Sequence, residues 1–485
     1  MKQNKQRLII NFVMIVLSFF AFICGLSSCS SNKSINFPAV SYNKTTSRTS
    51  TTSKEEVELK VSSGNIKVAL PISSECLRYL SLMYVGKISG IFNDTKSDTN
   101  GLNIKLDSLE TYNVGLTMTL QPVDSEGLTN EEISVMSQSK TLPDIYLVKN
   151  MNYLSANKIA AANLNTSFLD FYLNVNTVYP TMFNNSLDDT NISSLPYYAS
   201  VKMLFMNQRI WSESKVQNPY LLKESLAFND IVALSKGINN PKNGTYAWMD
   251  LKLLSAFLPS GIKPYPRGYE YSDRKFNFDN GSFYSSISLL KKMAAESKTM
   301  ETLGKDQITK LYGNNDPVKI GKVAFWLDES SAIENWASDP VNKVVRYPVP
   351  YVDKLTIPLS VVNIAVNSNS ILLEDAVRFA AFISLDKNAL LFRSRYKDPD
   401  GYIPPLNDKA IWDNLVTKQY RGSELYLYRD MMEMSYNVNE EEKAKISAIY
   451  DNLYNDVINP LIYKNKSANN IGKSLNVTAN KLLEE

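Results

Sequence analysis

The chain contains no histidine. That absence excludes a Ser-His-Asp triad, a Cys-His nucleophile and His-ligated zinc. Chemistry by paired carboxylates alone, as in glycoside hydrolysis, passes the same filter. Cysteine is almost as scarce, with only Cys24, Cys29 and Cys76. Net charge is nearly missing too: 52 Lys+Arg stand against 49 Asp+Glu. Three of the basic residues are Lys2, Lys5 and Arg7, ahead of any acidic one, so the rest of the chain carries 49 of each sign. A neutral body has no global attraction to nucleic acid or to an anionic membrane, and no nucleic-acid partner is expected. Recognisable phosphate and nucleophile loops are absent. Gly472-Lys473-Ser474 ends like a P-loop, but Ser467 stands where the leading glycine belongs. Asp398-Pro399-Asp400-Gly401 starts like a calcium loop, but Pro404 and Pro405 follow, the closing glutamate is missing, and a turn is expected. No cofactor, no metal and no catalytic residue are expected.

What is present begins with an address. Lys2, Lys5 and Arg7 precede an apolar run, Leu8–Phe22, interrupted only by Asn11 and Ser18. The run is shorter than the ~20 residues of a spanning helix and has the layout of a secretory signal peptide. It leads into Leu26-Ser27-Ser28-Cys29, which resembles the lipobox of bacterial lipoproteins. The resemblance implies cleavage before Cys29, lipidation of its thiol, and anchoring on the extracytoplasmic face of the cell membrane. Cys24 is the poorer candidate because bulky Ile23 precedes it. An ordinary cleaved signal with an incidental cysteine is the competing reading. If Cys29 is acylated, Cys76 is the only other thiol of the mature chain and no internal disulfide forms. Residues 30–56 are Ser/Thr-rich and too polar to bury a core, as expected of a flexible tether.

The body starts near Ile66-Lys67-Val68-Ala69-Leu70, a predicted strand. Ile145–Val148 and Val323–Leu327 read as short buried strands. Leu372, Ala376, Phe379, Ala380 and Ile383 share one helical face, with Ser370 as a predicted cap. From Asn407 onward the pattern is largely helical, with Pro460 interrupting it. Strands mixed with helices over this length predict α/β layers and two or three domains.

Four separated segments carry a family resemblance. They are Leu142-Pro143-Asp144-Ile145-Tyr146-Leu147-Val148; Leu195-Pro196-Tyr197-Tyr198 with Leu204–Trp211; Gly321-Lys322-Val323-Ala324-Phe325; and Val362–Ser370 with the following helix and Gly401-Tyr402-Ile403-Pro404. In this order the chain resembles the extracellular solute-binding proteins of ABC importers, in the sugar-binding branch of family 1 that includes maltose-binding protein. Met206 and Phe325 depart from the tyrosine and methionine usual at those places. The resemblance implies a two-lobed, type II periplasmic-binding-protein-like α/β fold with a hinge and an interlobe cleft. The expected division is 1–28 signal; 29–56 lipidated cysteine and tether; 57–198 and 359–400 N-terminal lobe; 199–358 and 401–485 C-terminal lobe. A monomer that closes on its solute and docks on membrane permease subunits is implied.

Sugars present hydroxyls to carboxylates and amides, and a ring face to aromatics. Lys149 and Asn150 follow a strand where relatives place polar contacts; a solvated turn is the alternative. Asp144 is expected to tie that strand structurally. Tyr198 lines either the cleft or the hinge core. Trp248, with Asp250, stands where relatives present an aromatic ring, and a core position competes equally. Trp326 is expected in the core, and Trp336 is ambiguous. Asp328 and Glu329 follow a buried strand and either face the cleft mouth or cap a helix. Tyr402 faces the cleft or packs in its turn.

The leading expectation is solute capture and delivery without catalysis, the solute being a carbohydrate or oligosaccharide. A surface glycosidase using Asp328 or Glu329 and a glycan-binding surface lipoprotein without transport are the alternatives.

Overall fold

The computed structural model describes residues 63–88, 115–124, 127–148, 154, 159, 161–164, 178–182, 187–188, 191–214, 216, 226–257, 269–272, 275–339, 341–353, 355–395, 403–418, 421–432, 435–437, 440–464, 466, 468 and 471–481. The chain divides at Val57/Glu58, and all described residues belong to the second unit.

Nine strands form the main sheet: β1 (Gly64–Ala69), β2 (Leu116–Leu120), β3 (Ile145–Val148), β4 (Leu195–Asn207), β5 (Tyr246–Trp248), β6 (Val323–Glu329), β7 (Val344–Pro348), β8 (Ile357–Val366) and β9 (Ser435–Asn437). The order is β2-β1-β3-β8-β4-β6-β5, with β7 also on β4 and β9 also on β8. β1 runs parallel to β2 and β3, while β8 is antiparallel to both β3 and β4. The short strands expected at Ile145–Val148 and Val323–Leu327 are both present and almost wholly buried. Continuous apolar runs of this kind suit strands covered on both faces.

β4 organises the molecule. It is 13 residues long, about twice the usual strand. Its first half, Leu195 to Val201, pairs with β8. Its second half pairs with β6 from Lys202 onward and with β7 from Met203 onward. The partner therefore changes at the Val201–Lys202 peptide. Side chains alternate along a strand, and three cores use that alternation. A first core gathers β1, β3, the start of β4 and the end of β8. A second takes Leu204 and Met206 together with β5, β6 and the C-terminal helices. A central core takes Ala199, Val201, Met203 and Phe205 from the opposite face, against Ile357, Leu359 and Val361 of β8.

The helices cover these cores for local reasons. α1 (Ser74–Ile88) is tied to the first core by an ion pair from Lys87 to Asp386. α2 (Leu373–Leu385) carries the apolar face expected from its spacing. It begins at Leu373 rather than directly after Ser370, whose hydroxyl instead accepts from the Leu372 amide at 3.2 Å. α3 (Lys409–Lys418) packs beside the helix Lys387–Arg395, where Asn414 donates to the Leu391 carbonyl at 3.3 Å. Leu406 and Ile411, placed by the sequence with residues 401–485 of the second lobe, pack in the first core. Pro460 interrupts the C-terminal helices as expected: a π-helical turn, Tyr454–Ile458, precedes it. α4 (Ile471–Lys481) carries the P-loop-like glycine. A Cβ on Gly472 would lie 2.6 Å from the Tyr284 hydroxyl and 2.8 Å from the Phe278 carbonyl, so the residue serves close helix packing. Asn480 pairs with the backbone of Phe276 as a neighbouring strand would, accepting from its N–H and donating to its C=O, both at 2.9 Å.

Candidate functional site

The partner change in β4 leaves a small polar patch inside an apolar strand. Ser200 pairs with Ser360 of β8, and Lys202 pairs with Glu329 at the end of β6. Ser200 and Lys202 point away from the central core, because Ala199, Val201 and Met203 point into it. On that face the Glu329 carboxylate accepts from both: Oε1 from Lys202 Nζ at 2.9 Å and Oε2 from Ser200 Oγ at 2.8 Å. The Lys202 side chain keeps 16 % of its exposure and Glu329 keeps 30 %. The pair is thus half-dehydrated yet still open on one side, between the first and second cores.

This geometry decides the role of the two adjacent acids. Glu329 occupies the N-cap position of the 3-10 turn Ser330–Trp336, but makes no cap hydrogen bond. Its carboxylate is committed to β4. Asp328 lies on the opposite face of β6, across from Met203. Its Oδ1 accepts from the Glu329 amide at 2.8 Å. Burial pushes its carboxyl pKa up and the Glu329 charge adds to that, while the Glu329 amide and Lys202 pull it down; the net shift is upward. Two carboxylates on opposite faces of one strand cannot flank one glycosidic bond, which glycosidases require. This pair does not supply the glycosidase alternative.

Other candidates fall elsewhere. Tyr198 is buried in the first core, its ring 5.5 Å from that of Tyr197. Trp248 is buried in the second core, packed on Phe325 at 5.5 Å, and donates from Nε1 to the Ser235 hydroxyl at 2.9 Å. Both rings are core residues rather than open contacts, each 2 % exposed among the apolar side chains of its cluster. Asp250 is half-buried at the end of β5 and accepts from the Lys252 amide at 3.0 Å. Burial raises its pKa, and nearby Glu301 adds to the rise against the lowering effects of the Lys252 amide and charge. Trp326 packs on Phe205 and Trp336 around the central core, as expected of it. Asp144 is structural, as expected, because its Oδ2 accepts from the Lys67 amide at 2.7 Å and so joins β1 to the start of β3. Lys149, Asn150 and Tyr402 lie outside the described residues, as does Cys29. Next to Tyr402, Ile403 exchanges two backbone hydrogen bonds with Ala199 of β4, at 2.9 and 2.7 Å.

Sequence reading missed Ser200 and Lys202. A signal was there: two polar residues at i and i+2 in a run that is otherwise apolar from Leu195 to Met206. Among the described residues, no group of three or more His, Cys, Asp or Glu side chains is placed to hold a metal ion. Among them, too, no helix is long and apolar enough to cross a membrane.

No family model and no curated protein matches the chain in sequence. Solved structures do match it in shape. An ABC substrate-binding protein of Listeria monocytogenes, in complex with cycloalternan, superposes with a TM-score of 0.60 at 11 % identity, over 87 % of this chain and 100 % of its own. A family 1 extracellular solute-binding protein of Alicyclobacillus acidocaldarius gives 0.57 at 11 % identity, over 87 % and 99 %. The sugar-binding protein MalE of Xanthomonas citri gives 0.57 at 12 % identity, over 87 % and 98 %. The chain therefore has the mixed α/β periplasmic-binding-protein fold.

Proposed function

We propose that the chain is the substrate-binding component of an ABC importer, held on the outer face of the cell membrane by a lipid on Cys29. It captures a carbohydrate or oligosaccharide and hands it to a membrane permease without chemical change. The observation that carries this reading is the fold: its structural neighbours include a cycloalternan-bound ABC substrate-binding protein and a sugar-binding MalE. Two lobes are read from the first and second cores, joined through β4, with the solute between them. The half-open polar face at Ser200, Lys202 and Glu329 lies at that junction, and hydroxyl, ammonium and carboxylate match the donors and acceptors of a polyol. Asp250, at the end of β5 on the second core, is the next candidate contact. Lys149, Asn150 and Tyr402 are further candidate contacts.

Ligand that binds only the folded state raises the melting temperature. A thermal-shift screen of mono- and oligosaccharides against peptides and polyamines tests the reading. Stabilisation by a sugar class supports it. Stabilisation by peptides or polyamines alone removes the sugar assignment while leaving the fold.

A further inference from the structure

We infer that Glu329 is a strap across the hinge, setting how far the two cores swing apart. The inference rests on the two-lobed reading above and adds to it a named control point. β4 is the strand that runs from one half of the sheet into the other, and its partner changes between Val201 and Lys202. Ser200 is on the β8 side of that change, and Lys202 is on the β6 side. The Glu329 carboxylate is rooted at the last paired residue of β6, yet it accepts from both sides: Lys202 at 2.9 Å and Ser200 at 2.8 Å. Swinging one half of the sheet relative to the other means changing backbone torsions near residues 201 and 202. Such a change moves Ser200 relative to Glu329 while leaving Lys202 in register with it. The Ser200–Glu329 bond is therefore the side-chain contact that stretches first.

The chemistry suits a strap rather than a passive surface pair. Ser200 is buried and Lys202 is nearly so. A hydrogen bond to an ionised carboxylate in such a place is stronger than its neutral or fully wet equivalent. The contact holds in the arrangement described here and is lost when the hinge turns, so it adds free energy to one side of a two-state equilibrium. A solute hydroxyl that bonds Glu329 from its open side would act on the same equilibrium.

The test uses the full chain, with spin labels on unnatural side chains at exposed Glu131 and Lys310, one on each side of the junction. The cysteines are left untouched. Distance distributions are recorded without sugar for the wild type, Ser200→Ala, Glu329→Gln and the double variant. Ser200→Ala removes one hydroxyl from a paired strand and leaves its backbone ladder in place, so folding is preserved. The expected result is a rise of about tenfold in the minor distance population in each single variant, the size of losing one hydrogen bond to a charged group. The double variant is expected to add little more. Distributions that superpose on the wild type in all variants overturn the strap. Adding sugar to the labelled wild type separates the two claims. A wild type that shifts with sugar while the variants match it leaves the transport reading standing without the strap. Variants that widen while no sugar acts on any of them keep the strap and remove the sugar assignment.

Discussion

Arg209 donates from Nη2 to the carbonyl of Gly321 at 3.0 Å, joining the helical turn after β4 to the turn before β6. Gly321 sits at a φ of +68°, and a Cβ there would collide with Arg209 Nη2 and with Asn342 Oδ1. The same Asn342 oxygen accepts from Asn207 Nδ2 at 2.9 Å. Asn207 in turn accepts from the amides of Arg209 and Ile210, at 3.1 and 3.2 Å, and so starts the helical turn. Two of the segments that carry the family resemblance, Met206-Asn207-Gln208 and Gly321-Lys322-Val323, thus meet in one partly buried network. The glycine is required by a left-handed backbone and by a guanidinium that leaves no room for a methyl group.

Gly321→Ala is therefore expected to destabilise the protein by roughly 2–4 kcal/mol, combining the backbone strain with the displacement of Arg209. Urea denaturation reads this as a lower midpoint at unchanged slope. Gly281→Ala is the internal control. It opens a helix where a Cβ meets no heavy atom within 4 Å, and its expected effect is neutral or stabilising. Equal losses at both positions would contradict the account.

Arg393 is buried in the first core's surroundings and has its guanidinium 3.6 Å above the Tyr197 ring. It donates to the Ile383 carbonyl at 2.8 Å and to the Tyr197 carbonyl at 3.4 Å. Arg393→Met keeps much of the volume but withdraws those donors and the cation–π contact. A loss of about 3 kcal/mol is expected. Tyr197→Phe keeps the ring face and is expected to cost clearly less. Thermal melts of the two variants check the order.

Asp328 gives a pH signature. Its folded-state pKa is raised, chiefly by burial. An acid of this kind imposes no penalty below its unfolded pKa, where it is protonated in both states. The penalty grows as pH rises through the folded value, where the native state must carry a buried charge. Asp328→Asn keeps an acceptor for the Glu329 amide and removes the charge. The variant is expected to melt higher than the wild type at pH 7. The gap should close as pH falls toward about 3.9, the ordinary aspartate value. A gain that does not change with pH would point to packing instead.

The anchor is tested apart from the fold. Cys29→Ser is expected to abolish incorporation of labelled palmitate and to move the protein from the membrane fraction to the medium or periplasm. Sugar-induced thermal stabilisation is expected to be unaffected, because Cys29 precedes the compact unit Glu58–Glu485 in the chain. Labelling that survives in Cys29→Ser and disappears in Cys24→Ser would reassign the lipobox.

Much of the fold was legible in local pattern. The buried runs at Ile145–Val148 and Val323–Leu327, the apolar face of α2 and the interruption at Pro460 all read correctly, because each depends on neighbours a few residues away. Asp144 read correctly for the same reason: a carboxylate just before a buried strand finds an unpaired amide beside it. The rings did not read so well. Tyr198 and Trp248 are aromatic residues near a junction and a turn, which fits a sugar platform as well as it fits a core. Only the packing of distant segments decides between those, and it buries both rings.

By itself, the sequence determined what this protein has no means to do. Without histidine, with one body cysteine and with balanced charge, histidine-based catalysis, a disulfide framework and bulk attraction to nucleic acid are excluded by residue type alone. Tertiary structure alone decided which groups the Glu329 carboxylate touches. Its partner Ser200 is 129 residues away, brought there by an antiparallel ladder whose register is set by two separate cores. A one-residue slip in that ladder would turn Glu329 into the central core and Asp328 toward the open face, with no change in sequence.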